Sequence, residues 1–424
     1  MKALFETKYS PEQLLEMVAG RNIYIYGVNL EGDGFRRLLP TLGYNVQGYI
    51  DSRTFKNNKK LQKSVFHPDD FTDFADLKQD FVLIATKHRA TRDKAIAELA
   101  SIGMQPGVDY ISAGDLCRYL PTIEVAGLCN LRCITCDVGV KGFKQGKLMN
   151  ADDYRDVLMK MKSEIPFMNS VCLYLWGEPL LNRELAEIIN ITHEAGIACE
   201  LSTNLNLKAN IEETVRAQPD LIVVSCSGWG DNYEVTHTKG NFQLFHDSLY
   251  KLRDAIELYG AETSVRLTYH MYKNNLDEQY DKIEALAKSL GFSFAPIIAN
   301  IFPQNVYEMV VEGKPLPQEM QQADELTIVP LEEILEKSLA RKDKPCPLMR
   351  GFPTVRWDKS VALCCNRVDP SVSSDYMAQS LDELNDAREG HDVCTKCMDN
   401  GLHRYFDVNA KVEVVDGKRI VERI

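Results

Sequence analysis

The sequence predicts an α/β protein in three parts: an N-terminal α/β domain, a longer series of strand–helix units and a small cysteine-rich C-terminal domain. Short apolar segments of strand length alternate with longer segments of helical periodicity along most of the chain. The cysteines concentrate in two groups, three between positions 129 and 136 and five between 346 and 397. We therefore expect domains at residues 1–118, 119–300 and 346–424, with a bridge at 301–345.

The composition is that of an ordinary globular protein. The chain has 424 residues, of which 45% are hydrophobic and 26% are charged. The formal net charge of −12 disfavours nucleic acid or an anionic membrane as the main partner, because phosphate groups attract basic surfaces. The N-terminal residues do not form a signal-peptide pattern, and no apolar run reaches the ~20 residues of a membrane span. We expect a cytoplasmic protein that binds neither nucleic acid nor membrane.

The first part of the chain has the element order of a Rossmann-like half domain. Ser10-Pro11 begins a helix with a serine N-cap and a proline at the first position. Strands are predicted at 22–27, 46–50 and 80–85, and a helix at 89–101. A strand, a glycine turn, a helix and a second strand ending in an acid form the order typical of nucleotide-binding domains. The turn Gly27-Val28-Asn29-Leu30-Glu31-Gly32-Asp33-Gly34 is not GxGxxG, so a docking or scaffold role is favoured over a cofactor site.

From Pro121 onward the chain repeats strand–helix units. Strands are predicted at 170–175, 197–201, 221–225, 265–269 and 292–298, and helices at 183–195, 242–259 and 277–290. Such repeats imply a parallel sheet, here curved into a full or partial barrel, with active groups at the carboxyl ends of the strands. The bridge shows no clear repeat, and residues 414–421 are predicted to form a hairpin around Asp416-Gly417.

The first cysteine group has metal-binding spacing. Cys129, Cys133 and Cys136 form a CxxxCxxC run directly after an apolar strand. Disulfides are rare in cytosolic proteins, so clustered cysteines there indicate metal or redox chemistry. Three thiolates can hold three irons of a cubane cluster and leave the fourth iron open to a small molecule. A structural zinc site would need a fourth Cys or His close by, and this loop has none.

This run resembles the signature of the radical S-adenosylmethionine (SAM) superfamily, and further motifs follow in that family's order. Gly177-Glu178-Pro179 is similar to the GGEP motif that binds the SAM amino group, although Trp176 replaces its first glycine. Ser202-Thr203-Asn204 resembles the ribose and carboxylate contacts, and Ser225 stands where a further serine contacts SAM. Thr135 is a second departure, because the family more often has an aromatic residue before the third cysteine.

The resemblance covers about residues 120–300. It implies a partial (β/α)6-type barrel that holds a [4Fe–4S] cluster and SAM. The residues that it assigns to SAM binding are Gly177, Glu178, Pro179, Ser202, Asn204 and Ser225.

The second cysteine group resembles the C-terminal extension of the SPASM and twitch subfamilies. Cys394 and Cys397 form a CxxC pair, and Cys346 with one of Cys364 and Cys365 completes four thiolates. Only five cysteines are present here, which favours the shorter twitch type with one auxiliary [4Fe–4S] cluster. The family spacing favours Cys364 over Cys365. Four thiolates also suit zinc, which stays open as an alternative.

The resemblance implies an enzyme that cleaves SAM to a 5′-deoxyadenosyl radical and abstracts hydrogen from its substrate. We expect oxidation or epimerisation of a sugar, polyol or nucleotide-sugar in polysaccharide or small-molecule biosynthesis, with a flavodoxin or ferredoxin as reductant. The alternative substrate is a peptide or protein, although residues 1–118 do not resemble a peptide-binding winged helix. A zinc-stapled binding scaffold is the non-enzymatic alternative.

Several side chains are candidates for contact with the substrate. Cys226, His237 and Tyr269 are the catalytic candidates, and Trp229, His270 and Tyr272 are further polar groups near the predicted strand ends. Cys226 could return a hydrogen atom in an epimerisation, but strand alternation places it opposite Ser225. A packing role is therefore favoured for Cys226.

Overall fold

The computed structural model describes residues 7–53, 65–86, 89–142, 146–408, 410–415 and 418–423. Its N-terminal region is a five-stranded parallel sheet in the order β3-β2-β1-β4-β5. The strands are β1 Asn22–Tyr26, β2 Val46–Ile50, β3 Val65–Phe66, β4 Asp80–Ile84 and β5 Tyr110–Ser112. The helices are α1 Pro11–Val18, α2 Leu30–Thr41, α3 Pro68–Phe74 and α4 Arg89–Ser101. The predicted Rossmann-like order is confirmed, and β3 was missed because two residues show no periodicity.

The glycines of the β1–α2 turn allow close packing. A Cβ on Gly32 would stand 2.3 Å from the carbonyl oxygen of Gly27. Asn29 caps α2 by accepting hydrogen bonds from the amides of Glu31 and Gly32, and Glu31 lies buried in the first turn. The first turn of α2 therefore carries the acidic residues Glu31 and Asp33, at the end of a helix where dinucleotide-binding domains hold a phosphate.

The second and larger sheet has nine strands in the order β11-β10-β9-β8-β7-β6-β12-β13-β14. The strands from β6 to β11 are parallel to their neighbours and follow the chain in sequence, which is the arrangement of a partial (β/α)6-type barrel. They are β6 Thr122–Ile123, β7 Ser170–Cys172, β8 Ala198–Thr203, β9 Leu221–Cys226, β10 Ser264–Met271 and β11 Ser293–Ile298. The helices of this region are α5 Asp137–Lys141, α6 Ala151–Glu164, α7 Leu185–Glu194, α8 Ile211–Arg216, α9 Asp231–Thr236, α10 Phe242–Tyr259 and α11 Glu278–Leu290.

The two faces of this sheet differ in polarity. Side chains that point outward are apolar and lie buried beneath the helices, as Val224 and Leu267 do. Their inward-pointing neighbours are polar at many positions, among them Glu200, Ser225 and Arg266. The alternation follows from the two-residue period of a strand. The inner face therefore offers hydrogen-bonding groups, while the outer face holds the sheet against the helices.

The N-terminal domain packs on the barrel at the amino ends of its strands. Helix α2 lies against β7 and β8. A Cβ on Gly34 would stand 2.3 Å from the carbonyl oxygen of Asn169, the residue before β7. Arg37 Nε donates a 2.7 Å hydrogen bond to buried Asp220, the residue before β9. Since the predicted motifs lie at the carboxyl ends, this domain covers the opposite face of the barrel.

The C-terminal region is built onto the same sheet. Strand β12 Thr354–Val355 pairs in parallel with β6, and β13 Val361–Ala362 and β14 Ser371–Ser373 continue the sheet as antiparallel strands. The predicted bridge contains the helices α12 Asn305–Val311, α13 Gln318–Leu326 and α14 Leu331–Leu339, and α15 Leu381–Glu389 and α16 Asp392–Asp399 follow.

The predicted C-terminal hairpin is confirmed, although its turn residues Asp416 and Gly417 lie outside the described residues. Strands β15 Ala410–Val415 and β16 Lys418–Arg423 pair antiparallel, and Arg419 contacts Asp281 and lies 4.0 Å from the Tyr280 ring centroid. None of the described helices is long and apolar enough to cross a membrane. The domain boundaries themselves stay a prediction.

Gly34 lies at the contact between the N-terminal domain and the barrel. We expect Gly34→Ala to lower the free energy of unfolding by about 1–3 kcal/mol, because the added Cβ would overlap the backbone carbonyl of Asn169. Gly114→Ala is the matched control, since its Cβ would meet only Ser112 Oγ at 4.0 Å. Urea unfolding measures both variants. Equal unfolding midpoints for the two would contradict the close contact.

Candidate functional site

The three cysteines of the first group lie in one loop after β6, at the carboxyl edge of the barrel. Backbone amides donate to two of the sulfurs: Leu131 N–H lies 3.5 Å from Cys129 Sγ, and Gly139 N–H lies 3.3 Å from Cys136 Sγ. Asn204 Nδ2 lies 3.5 Å from Cys129 Sγ. Amide donors of this kind stabilise thiolates, so these contacts suit sulfurs that bind a metal cluster.

Segments from distant parts of the chain hold the cysteine loop. The amides of Arg132 and Ile134 donate to the carbonyl oxygens of Thr238 and Thr236, at 2.8 and 3.2 Å. The amide of Phe302 donates to the Thr135 carbonyl at 2.7 Å. The loop is thus fixed by backbone contacts that do not depend on the identity of its side chains.

Burial disfavours the thiolate forms of Cys129 and Cys133 in the absence of metal. Burial, reinforced by the negative charge of Glu178, raises the pKa of Cys129 to about 11. Burial raises the pKa of Cys133 further. A bound metal must displace these protons, so cluster binding at this loop releases protons. The positive charge of the metal then compensates the negative charge of the buried thiolates.

Gly177-Glu178-Pro179 packs directly on the backbone that precedes the cysteine loop. A Cβ on Gly177 would stand 1.8 Å from the carbonyl oxygen of Ala126 and 2.8 Å from that of Leu128, so only glycine fits. The amide of Glu178 donates to the Leu128 carbonyl at 2.8 Å. The backbone of this motif and the start of the cysteine loop are therefore one unit.

Two buried carboxyl groups brace this motif. Glu178 accepts hydrogen bonds from the amides of Leu180 and Asn204 at 3.0 and 2.8 Å, so its side chain points into the protein and joins two strand ends. Glu124, at the end of β6, accepts from the amide of Trp176 at 3.0 Å. Burial raises the pKa of both carboxyl groups to about 7.

The other residues predicted to contact SAM lie at neighbouring strand ends. Ser202 and Ser225 are each one residue before the ends of β8 and β9, and the strand pairing puts both on the inner face. Asn204 links this edge to the cysteine loop, because its Nδ2 also donates to Asn130 Oδ1 at 3.0 Å. The structure therefore brings the predicted motifs to one edge of the barrel.

Three of the predicted substrate contacts lie away from the barrel interior. Tyr269 is fully buried on the outer face, where its hydroxyl donates to the Asn275 carbonyl at 2.7 Å. Cys226 is fully buried on the same face, and its thiol lies 3.6 Å from the Gly228 carbonyl. Trp229 packs against Phe242 and His246. Strand alternation explains why the side chains of Cys226 and Tyr269 point outward, because Ser225 and Thr268, the residues before them, point inward.

The other three lie beside the cysteine loop or on the inner face. His237 stacks on Tyr233, accepts or donates at 2.6 Å to Ser227 Oγ, and has a pKa that burial lowers to about 3. Tyr272 lies with its hydroxyl 3.4 Å from Thr135 Oγ1. His270 faces inward on β10, and burial lowers its pKa to about 4. Both imidazoles are neutral at physiological pH.

A polar group inside the barrel was missed by the sequence reasoning. Tyr174 donates a 2.6 Å hydrogen bond to Glu200, and Arg266 faces the same interior from β10. Cys172 also faces inward, because it pairs with Glu200 in register. The signal that would have found these residues is strand alternation, applied to the inward positions below the strand ends.

The second cysteine group surrounds a cavity in the C-terminal region. Cys346, Cys364, Cys394 and Cys397 line it, while Cys365 is not among its lining residues. Asn366 N–H and Gln304 Nε2 donate to Cys364 and Cys397 at 3.4 and 3.0 Å. Four thiols around one cavity, with amide donors to their sulfurs, provide the donor set of a [4Fe–4S] cluster.

A buried arginine lies beside this cavity. Arg388 is 1% exposed, donates to the Ala362 carbonyl at 3.0 Å, and lies in no ion pair with a described carboxylate. Cys364 and Cys394 are among the groups whose negative charge acts on it. A buried cation needs a nearby anion, and a cluster with four thiolates supplies one.

The spacing of possible metal ligands differs between the cysteine groups and one further set of side chains. Of the described residues, only His193, Cys199 and Asp220 bring three ligand atoms within 4.8 Å of one another. Tetrahedral zinc with Zn–S bonds of ~2.3 Å would hold its sulfurs roughly 3.8 Å apart. Neither cysteine group, as far as its residues are described, brings three sulfurs within 4.8 Å of one another.

The central part of the chain is similar to one known protein family. Residues 123–286 match the sequence profile described as the radical SAM superfamily. No curated protein sequence matches the chain.

Three solved structures are similar to the chain at low identity. BtrN in complex with AdoMet and 2-DOIA is 14% identical, with 66% of this chain and 87% of that chain covered and a TM-score of 0.40. Streptococcus suis SuiB bound to precursor peptide SuiA is 12% identical, with 76% and 77% covered and a TM-score of 0.45. Native anSMEcpe with bound AdoMet is 17% identical, with 68% and 88% covered and a TM-score of 0.42.

The raised pKa of Glu124 gives a prediction about pH. A carboxyl group whose pKa rises from its ordinary value to about 7 on folding stabilises the fold below its unfolded pKa, and this contribution is lost as pH rises through 7. We expect the cluster-free protein to become less stable from about pH 5 to about pH 8. Glu124→Gln should reduce that loss by about 1–3 kcal/mol, because glutamine stays neutral over this range.

Urea unfolding at several pH values measures this effect. The control is Glu187→Gln, which removes an exposed carboxyl group of α7. A Glu124→Gln profile that runs parallel to those of the wild type and the control would contradict a buried, raised-pKa carboxyl at this position.

Proposed function

We propose that this chain, whose residues 123–286 match the radical SAM superfamily profile, is an enzyme of that class that abstracts hydrogen from a small hydroxylated substrate. The substrate is a sugar, polyol or nucleotide-sugar, and the outcome is oxidation or epimerisation. The observation that supports this substrate class is the polar inner face of the barrel, in which Tyr174 and Glu200 form a hydrogen-bonded pair.

Cys129, Cys133 and Cys136 would hold the catalytic [4Fe–4S] cluster. When bound, the cluster and SAM supply the 5′-deoxyadenosyl radical that abstracts hydrogen. The amides of Leu131 and Gly139 stabilise the thiolates, and the backbone contacts of the loop fix their positions. The loop is therefore preorganised for its ligand.

The backbone of Gly177 and Pro179, with Ser202, Asn204 and Ser225, would contact SAM. The glycine is needed because the motif touches the carbonyl oxygens before the cysteine loop. Glu178 acts in this proposal as a positioning residue, since both of its oxygens accept hydrogen bonds from backbone amides. Asn204 connects the SAM contacts to Cys129, so a shift of one would move the other.

Cys346, Cys364, Cys394 and Cys397 would hold an auxiliary [4Fe–4S] cluster in the C-terminal cavity. Arg388 compensates its negative charge from a fully buried position. An auxiliary cluster can accept the second electron of a two-electron oxidation, whereas an epimerisation needs a hydrogen-atom donor. Of the three cysteines on the barrel strands, Cys172 faces inward, while Cys199 and Cys226 face outward, so a thiol donor would be Cys172.

The N-terminal domain supports the barrel in this proposal. It covers the amino ends of the strands, on the face opposite the cysteine loop. Its α2 helix begins with a buried glutamate and a capping asparagine. A nucleotide held there would therefore be far from the strand ends, and the nucleotide part of a nucleotide-sugar would bind at the barrel.

Iron content tests the auxiliary site. We expect ~8 irons per chain after anaerobic reconstitution of the wild type, ~4 for Cys364→Ser and ~8 for Cys365→Ser, because only Cys364 lines the cavity. Electron paramagnetic resonance of the reduced proteins gives an independent count of clusters. Loss of ~4 irons in Cys365→Ser, with full content in Cys364→Ser, would assign the ligand to Cys365 instead.

Deuterium transfer tests the reaction. Reconstituted protein is incubated with SAM, dithionite and one deuterated probe at a time. The probes are perdeuterated glucose, UDP-glucose carrying perdeuterated glucose, perdeuterated inositol and, as the alternative substrates, a mixture of deuterated short peptides. We expect 5′-deoxyadenosine to carry deuterium from one of the hydroxylated compounds. If 5′-deoxyadenosine carries deuterium only after incubation with the peptides, the substrate is a peptide and the proposed sugar substrate is wrong. A colourless protein that binds zinc and cleaves no SAM would point to a zinc-stapled scaffold.

A further inference from the structure

Gln304 is a buried amide side chain at the second cysteine group. It is 3% exposed, it lines the same cavity as the four cysteines, and its Nε2 donates to Cys397 Sγ at 3.0 Å. A thiolate sulfur only accepts hydrogen bonds, whereas an amide NH2 group only donates them. The contact therefore matches a Cys397 that is deprotonated, as a ligand of iron must be.

Backbone hydrogen bonds hold Gln304 beside a second cysteine of the same group. The amide of Gln304 donates to the Asn366 carbonyl at 2.8 Å, and the amide of Asn366 donates to Cys364 Sγ at 3.4 Å. Gln304 also precedes α12, and its carbonyl oxygen accepts from the amide of Tyr307 at 3.0 Å. Gln304 and Asn366 thus form one backbone unit that donates to two of the four sulfurs.

A short segment connects this unit to the first cysteine group. Phe302 stands two residues before Gln304, and its amide donates to the Thr135 carbonyl at 2.7 Å. Phe302 also pairs with Cys136 in an isolated parallel bridge. The backbone from Phe302 to Gln304 therefore contacts one cysteine group at each end. Both groups fix the place from which the glutamine side chain reaches Cys397.

Cys397 is the sulfur at which a protein donor matters most. Cys346, Cys364 and Cys394 are partly exposed, whereas Cys397 is buried. Water can donate hydrogen bonds to a partly exposed sulfur but not to a buried one, and a hydrogen bond is stronger where the local dielectric constant is low. Reduction of an iron–sulfur cluster adds negative charge, which a donor at a ligand sulfur stabilises. Such donors therefore raise the reduction potential.

We propose that Gln304 is a positioning residue that raises the reduction potential of the auxiliary site through its hydrogen bond to Cys397. The glutamine side chain is neutral, so it acts by its donor alone, whereas buried Arg388 compensates charge. The contact of Phe302 with Thr135 links the position of this donor to the catalytic cysteine loop. This inference rests on the proposed function, because it assumes an auxiliary [4Fe–4S] cluster on the four cysteines.

A redox titration followed by electron paramagnetic resonance tests the inference. Reconstituted wild type and Gln304→Met are reduced stepwise with dithionite and redox mediators, and the signal that changes when SAM is added is assigned to the catalytic cluster. Methionine keeps the length of the side chain without its donor. We expect the auxiliary cluster of Gln304→Met to be about 10-fold harder to reduce, a potential ~59 mV lower for one electron, with the catalytic cluster unchanged.

Two further variants separate the hydrogen bond from packing. Gln304→Leu also lacks the donor but packs differently, so its auxiliary potential should fall by the same amount. Gln321→Met is the matched control, because it removes an exposed glutamine of α13 that donates to the Leu316 carbonyl. Both of its potentials should equal those of the wild type.

Three results would overturn the inference. The first is an auxiliary potential that stays at the wild-type value in both Gln304 variants, and the second is an equal fall at both clusters. The third is a loss of ~4 irons in both variants, which would assign Gln304 to cluster assembly instead.

Failure of the proposed function has a different signature, because it shows in the wild type. A wild type that binds no iron or cleaves no SAM after reduction would overturn the proposed function. A wild type with ~4 irons would remove the auxiliary cluster and this inference with it. A wild type that holds ~8 irons and cleaves SAM, but has the auxiliary potential of Gln304→Met, would overturn the role of Gln304 alone.

Discussion

The contact on which the site depends is the approach of the Gly177 backbone to the backbone before the cysteine loop. At this point a Cβ would stand 1.8 Å from the Ala126 carbonyl oxygen, closer than any side chain permits. Because the two backbones touch, the loop after β7 and the cysteine loop after β6 must move together. The Glu178 amide then donates to Leu128, and its carboxylate reaches the amide of Asn204 after β8. One glycine thus lets three strand ends share a single network.

Charges buried near the two cysteine groups have complementary roles. Glu124 and Glu178 are buried carboxyl groups that hold backbone amides, and burial raises their pKa to about 7. Arg388 is a buried cation whose anionic neighbours are thiols. A carboxylate near the first cysteine group disfavours thiolates until metal binds, while an arginine near the second group favours them. Within the second group the hydrogen bond with Cys365 lowers the pKa of Cys364 to about 7, whereas burial raises the pKa of Cys346 and of Cys394.

Strand–helix alternation predicted the element order well, because the period of apolar residues depends only on local sequence. The family motifs were also found at strand ends, where the chain order places them. The orientation of individual side chains was harder: Tyr269 follows the inward Thr268 and therefore faces the core, where it packs on Tyr280 and Phe294. The inward-facing polar residues Tyr174, Glu200 and Arg266 were missed, because the residues that face each other across a curved sheet are set by tertiary structure. The choice between Cys364 and Cys365 also depends on tertiary structure, because only Cys364 of the two lines the cavity of the second cysteine group.

The position of the N-terminal domain restricts how a substrate reaches the barrel interior. The domain covers the amino ends of the strands through Gly34 and Arg37, so that face is closed. The carboxyl edge holds the cysteine loop and the predicted SAM contacts. On the side, β11 is the last strand of the sheet, and its inward residues Ser293 and Ile297 are exposed. Among the described residues, the edge of β11 is therefore the side on which the inner face of the sheet meets solvent.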